Sequence, residues 1–274
     1  MSLIPDLLRQ LLRRPSGPAP PAALDAPCAP DEQSTTVQYG DFQFVFATPN
    51  NYTRWRVDTF FSKEPDTLEW IGGFARGEVM VDVGANVGMY TLWAAVTRGV
   101  RVYAFEPESQ NFALLYQNIV RNGLTRQVTG YCAALSDEQR FSLLYLSEFV
   151  PGSSVHTFGA AQDYKLERRP SETVQGSIAT TLDHLVASGV VPVPHHIKID
   201  VDGFEHKVIA GSRNVLADPG VKSVLVEINT NLEQHRALIP ELERLGFRYS
   251  RDQVQRSIRR EGPFAGIGNH VFQR

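Results

Sequence analysis

The sequence predicts an α/β fold, a mostly parallel sheet with helices on both faces. Three observations carry that prediction. The run Val79-Met80-Val81 is apolar and rich in β-branched residues, as a strand buried on both faces reads, and it passes through Gly84 and Gly88 into a helix-like run over residues 89–95. Strand-then-helix alternation recurs after it, and repeated βα units build parallel sheets. Carboxylates also fall at strand ends, namely Asp82, Glu106, Asp200 and Glu227, where open α/β sheets bind their ligands.

The 274 residues suffice for one large domain or two small ones. Hydrophobic residues make up 42% and charged residues 21%, so a packed core is expected. A formal net charge of −3 gives no electrostatic reason to expect a nucleic-acid partner. Two cysteines, Cys28 and Cys132, are too few for a disulfide scaffold, and a reduced, cytoplasmic protein is the simpler reading. No apolar run reaches the roughly 18 residues a spanning helix needs.

In chain order, residues 1–14 place Leu3-Ile4, Leu7-Leu8 and Leu11-Leu12 at helical spacing, with Arg9, Arg13 and Arg14 among and after them. A secretory signal would carry its charge first, so this reads as an amphipathic helix, docked on the domain or touching a membrane surface or partner. Residues 15–34 hold six prolines between Pro15 and Pro30 and read as a linker. Residues 35–78 form an N-terminal extension. Val37 and Tyr39, then Phe42, Phe44 and Phe46, alternate across a Gly40-Asp41 turn as a hairpin lid. Behind the hairpin, Trp55, Phe60, Phe61, Leu68 and Trp70 are expected to pack inward, and Arg54, Arg56, Lys63 and Glu64 to face out.

The main domain is 79–274. Its predicted strands are 79–81, 100–105, 128–135, 196–201 and 221–228, with 141–146 as an edge strand and 247–251 and 268–273 as a closing pair. Predicted helices are 109–121, stopped by Asn122-Gly123, then 181–188, 204–216 and 232–245, the last ending at Gly246. Residues 151–174 are polar and irregular, the expected flexible loop over a site.

The glycine turn narrows the ligand. Glycines let backbone approach a ligand closely, and a helix start offers unpaired N–H groups. Gly84-Ala85-Asn86-Val87-Gly88 has two glycines where dinucleotide folds use three, and Asp82 precedes it. A carboxylate there would repel a pyrophosphate and suits a ligand with a cationic amino-acid head, such as S-adenosylmethionine. Glu106 lies 22 residues after Gly84, placed to accept hydrogen bonds from ribose hydroxyls, and Pro107 turns the chain there.

Residues 196–205 deliver Lys198, Asp200, Asp202 and Glu205 to a strand's carboxyl end, the first three on one face. Burying such charges without function is costly. They read as a site floor, with Asp200 near the cofactor's methionine part or the substrate hydroxyl and Lys198 holding a charge. The alternative is a cap, with Asp202 or Gly203 starting the next helix. Glu227 would sit beside Asp200 on the neighbouring strand. Close carboxylates serve acid/base work or share a divalent metal, for which Asp200, Asp202 and Glu227 are the candidate ligands. His195, His196 and His206 read as structural; His156, in the irregular loop, is a better candidate for a substrate contact.

These stretches together resemble the FkbM-type S-adenosylmethionine-dependent methyltransferases. The pieces are Asp82-Val-Gly-Ala-Asn-Val-Gly88 with Tyr90-Thr91, Phe105-Glu-Pro107 with Asn111 and Asn118, and Ala134-Leu-Ser-Asp137. Thr181-Leu-Asp183, Lys198-Ile-Asp-Val-Asp-Gly-Phe-Glu205 with Gly211, and Val226-Glu-Ile228 complete them. The resemblance implies a Rossmann-like, mostly parallel seven-stranded sheet with an antiparallel terminal strand. It implies that Gly84, Ala85, Asn86, Gly88 and Tyr90 line the methionine end of S-adenosylmethionine, that Glu106 takes the ribose, and that Ala134, Leu135 and Ser136 flank the adenine. Asp82, Pro107, Asn111 and Asp200 complete the cofactor-binding set. Asp202 stands where the family commonly has Glu.

The implied reaction is O-methylation of a sugar, glycolipid or polyketide-type acceptor. Methyl transfer from a sulfonium needs an aligned oxygen and a group to take its proton. Asp200 or Glu227 fills that role, or holds a metal that does, with Lys198 beside them. Acceptor contacts would come from 151–174 and from before residue 79, with Trp55 and Tyr164 as candidate stacking surfaces; an oligomer is compatible with all of this. Two rivals stand beside this reading: an NAD(P)-dependent oxidoreductase on a similar sheet, and a non-catalytic scaffold working through its N-terminal helix.

Overall fold

The computed structural model describes residues 33–274. The expected helix at 1–14 and most of the linker at 15–34, with Cys28, lie outside the described residues.

Strands β1 (Ser34–Tyr39) and β2 (Phe42–Ala47) form the expected hairpin, with Tyr39 opposite Phe42 and Gly40 left-handed in the turn. Helices α1 (Asn51–Asp58), α2 (Phe60–Lys63) and α3 (Pro65–Gly72) follow. Asn50 caps α1 in a reciprocal box with Thr53, and Pro65 occupies the first turn of α3. Phe60 and Trp70 pack inward as expected, but Trp55 and Phe61 are exposed, while Glu64 is buried and Arg56 half-buried. Helical spacing explains the exchange. Thr53, Val57, Phe60 and Glu64 recur every three or four residues and take the inner face, leaving Trp55 and Phe61 outside.

The chain then runs β3 (Val79–Val83), α4 (Met89–Trp93, extended by a π turn over Ala94–Arg98), β4 (Arg101–Phe105), α5 (Ser109–Arg121) and β5 (Val128–Tyr131). Next come β6 (Ala134–Leu135), β7 (Arg140–Tyr145), β8 (Thr157–Phe158), β9 (Val174–Thr180), α6 (Leu182–Ala187) and β10 (His196–Ile199). The chain ends with α7 (Glu205–Ala210), α8 (Arg213–Ala217), β11 (Ser223–Asn229), α9 (Glu233–Arg236), α10 (Leu238–Arg244), β12 (Arg248–Tyr249), α11 (Arg251–Ser257) and β13 (Ile267–Gln273).

The main sheet has seven strands in the order β12-β13-β11-β10-β3-β4-β5. From β11 to β5 every pair is parallel, and β13 runs antiparallel to both β11 and β12. Side chains alternate between two cores. Met80 faces the hairpin, α3, α4 and α5, while Val79, Val81 and Val83 face α6, α7, α8 and α10. This arrangement brings the carboxyl ends of β3, β4, β10 and β11 to one edge.

Four expectations need correction. The strand expected over 128–135 is two, because the chain leaves the main sheet after Tyr131. The strand expected at 141–146 does not edge the main sheet; β7 belongs to a second sheet, ordered β6-β9-β7-β8. The stretch expected to be irregular contains β8 and an isolated Gln162–Arg168 bridge. The helices expected over 204–216 and 232–245 each break, at Gly211-Ser212 and at Ala237.

Candidate functional site

The glycine turn is built first by packing. A Cβ on Gly84 would lie 1.8 Å from the carbonyl oxygen of Asp200, and one on Gly88 would lie 2.5 Å from Leu115 Cδ1. Both glycines are left-handed, as is Asn86 at φ 50° between them. The Gly84 position therefore seats the end of β10 against β3. Asn86 N–H donates to Glu106 at 2.8 Å and the Glu108 N–H donates to it at 2.9 Å. Burial pushes the Glu106 carboxyl up to about 7, although these two N–H bonds pull the other way.

Lys198 is the buried pivot of the strand ends. Its ammonium lies 3.5 Å from Asp82, 3.3 Å from Asp200 and over the Tyr90 ring. Burial works against its charge, but the carboxylates outweigh burial and raise its pKa. Thr91 Oγ1 donates to Asp82 at 2.6 Å, so Asp82 is turned inward and serves the cation rather than opening into a cavity. Tyr90 packs against Phe60, and burial and then the Glu64 charge raise its pKa.

Two cavities meet at Gly84. One is an apolar slot walled by Phe105, Pro107, Ala134, Leu135, Ser136, Phe158 and Phe204, with His156 at its side. The other, about 380 Å³, takes in Asn86, Asp200, Asp202 and Glu227 from the sheet side, and Trp55, Arg56, Lys63, Arg259 and Phe264 from elsewhere. One oxygen from each of Asp200, Asp202 and Glu227 lies within 4.8 Å of the others. Asp202 is held at φ 54° and accepts the Val155 N–H at 2.7 Å; burial and then Asp200 push it up to about 6. Glu227 pairs with Arg259 at 3.0 Å. Burial and the Asp200 charge nevertheless raise its pKa, Arg259 offsetting only part of the shift.

Other expected residues have different roles. Asn111 is fully buried and lines neither cavity; it accepts the Gly152 N–H at 2.7 Å and donates to Ser153 O at 3.1 Å. Asn86 Nδ2 also donates to Ser153 O, at 2.8 Å. Residues 151–155 thus form a strap pinned between the two cavities. Glu205 is not part of the floor. It accepts N–H groups from Val201 and Gly203 and lies 3.3 Å from His235, fastening the left-handed turn that carries Asp202. Neither Asp202 nor Gly203 caps α7, whose cap residue is Phe204 without a side-chain bond. His196 is structural as expected, bonded to Ser223 at 2.7 Å and Glu78 at 2.8 Å beneath the sheet.

The sequence reading placed Arg56 and Lys63 in solvent and passed over Arg259 and Phe264. None follows a strand, so no spacing rule reaches them; only the pairing of an aromatic with cations in Trp55-Arg56 was there to be read.

A mostly parallel sheet with a glycine turn after β3, an acid at the tip of β4 and carboxylates at the ends of β10 and β11 defines an α/β protein of Rossmann-like type. The chain belongs to the FkbM methyltransferase family: residues 82–249 match the model of the methyltransferase FkbM domain. Among curated relatives, 31-O-demethyl-FK506 methyltransferase FkbM from Streptomyces tacrolimicus is 29% identical over 56% of this chain and 66% of its own length. Hexuronic acid methyltransferase AglP from Haloferax volcanii is 30% identical over 57% of this chain and 58% of its own. The matched region thus spans less than two thirds of either relative. A solved structure of M. jannaschii TYW2 in complex with AdoMet aligns over 90% of this chain and 89% of that one, at 13% identity and a TM-score of 0.42, a likeness too distant to carry an argument. Among the described residues, no helix is long and apolar enough to cross a membrane.

Proposed function

We propose that the protein moves a methyl group from S-adenosylmethionine to a hydroxyl of a small-molecule or sugar-type acceptor, with residues 79–274 as the transferase domain and 35–78 as its lid. The observation that carries this is Gly84, which lines both an apolar slot and a cavity floored by carboxylates. The slot suits an adenine between Pro107 and Ala134-Leu135-Ser136, and Glu106 is at hand for the ribose. The larger cavity has room for the methionine end and the acceptor. Relatives named for 31-O-demethyl-FK506 and for hexuronic acid support a small-molecule acceptor.

When bound, S-adenosylmethionine supplies an electrophilic methyl group. This chain's part is to orient the acceptor, exclude water and take a proton. Asp200 takes the proton: Lys198 holds its carboxylate in place at 3.3 Å, at the floor of the larger cavity. Lys198 stays charged throughout. A divalent ion on the three carboxylates is a second reading, favoured by their convergence within 4.8 Å. Lys198 and Arg259 already answer two of those charges, so the proton-transfer reading is preferred.

The test is transfer of labelled methyl from S-adenosylmethionine to a panel of hydroxylated glycans and polyketides, with and without chelator. Wild type should label an acceptor in the presence of chelator, and Asp200→Asn should be slower by about 100- to 10,000-fold. Full activity of Asp200→Asn would remove the base, and loss with chelator would favour the metal.

A further inference from the structure

We propose that Arg56 is a carboxylate-binding residue of the larger cavity, its guanidinium fork taking the anionic end of a ligand seated above Asp200. This deepens the methyl-transfer reading and rests on it. Arg56 enters from α1, outside the residues that match the family domain. Its Nε donates to the carbonyl of Gly152 at 2.7 Å. That bond fixes the plane of the guanidinium against the strap. The two terminal nitrogens carry no hydrogen bond among the described residues.

The cavity's acids, Asp202 first and then Asp200, support the charge of Arg56, but none is hydrogen-bonded to its fork. Asp200 is held by Lys198 at 3.3 Å, Glu227 by Arg259 at 3.0 Å and Asp202 by the Val155 N–H at 2.7 Å. Lys63, the remaining cation of the lining, is engaged by Glu64 at 3.1 Å. Arg56 is therefore the cation of the lining whose fork has no hydrogen-bonded acid, planar and held from behind. Such a fork matches a carboxylate with two parallel N–H bonds. Two sources offer that group: the methionine carboxylate of the cofactor, or a carboxylate on the acceptor.

Calorimetry on the full chain tells them apart. Wild type, Arg56→Gln and Arg56→Lys are titrated with S-adenosylhomocysteine and with 5′-methylthioadenosine, which lacks the amino-acid end. Their S-adenosylhomocysteine complexes are then titrated with methyl glucuronide and methyl glucoside. If the carboxylate is the cofactor's, Arg56→Gln loses about tenfold or more towards S-adenosylhomocysteine, the size of one charge-assisted hydrogen bond, and nothing towards 5′-methylthioadenosine. If it is the acceptor's, cofactor affinity is unchanged and only the glucuronide is lost. Arg56→Lys, a charge without the fork, should recover part of either loss. Equal losses for both nucleosides would make Arg56 a mere strut and overturn the inference, as would unchanged binding throughout. A folded wild type that binds no S-adenosylhomocysteine would instead sink the methyl-transfer reading, and the inference with it.

Discussion

Lys198 has two carboxylates to answer and almost no water to help it, with 2% of its side chain exposed against 1% for Asp82. Removing one partner of a buried pair leaves an uncompensated charge, at a cost of about 3–5 kcal/mol. Lys198→Met should therefore lose stability on that scale in denaturant titration, whereas an exposed pair such as Arg213–Glu241 should be close to neutral. Glu106 and Glu205 act in the opposite sense. Burial lifts them to about 7 and about 8 from an ordinary 4.5. The stability each contributes is full below the unfolded value and is lost as pH rises through the folded one. The melting temperature of the ligand-free protein should fall between about pH 7 and pH 8, above the range in which His156 and His235, both lowered by burial, destabilise it on acidification, and Glu205→Gln should flatten that fall. The acids at strand tips were legible because spacing from a glycine turn fixes where a strand ends. Glu64 and Arg56 were not, because only the register of short helices decides which side of them is buried.

At the scale of elements, the broken helices carry the clearest lesson. Periodicity ran 204–216 together because Val208, Ile209, Val215 and Leu216 all face one core. A Cβ at Gly211, where α7 ends, would lie 1.9 Å from the carbonyl of Ser136, so only glycine fits the chain against the wall of the apolar slot. Asp183 then accepts the N–H groups of Asn214 and Val215 and restarts the chain as α8. Gly211→Ala should cost about 1–3 kcal/mol as overpacking and should weaken adenosine-type ligands more than it slows proton removal. Thermal melting and titration with adenosine check the two halves. Strand β9 escaped the sequence reading for a related reason. Its residues, Val-Gln-Gly-Ser-Ile-Ala-Thr, bury only Ala179 fully, so no apolar alternation marks it.

For the whole molecule, the mostly parallel sheet was readable from repeated βα units and its seven strands from the family resemblance, and the second sheet was readable from neither. The larger cavity is a product of tertiary closure. Trp55 and Arg56 arrive from before the family domain and Arg259 and Phe264 from after it, to meet carboxylates that the sheet supplies. Sequence spacing could find the floor of that cavity but not its walls. One cofactor should span the slot beside Glu106 and the cavity above Asp200. Calorimetric titration with S-adenosylhomocysteine, comparing wild type with Glu106→Gln, tests it most directly. Wild type should bind, and more tightly as pH rises through about 7, where Glu106 ionises, while the variant should lose about tenfold or more. No binding by a folded wild type, or equal binding by both proteins, would contradict it.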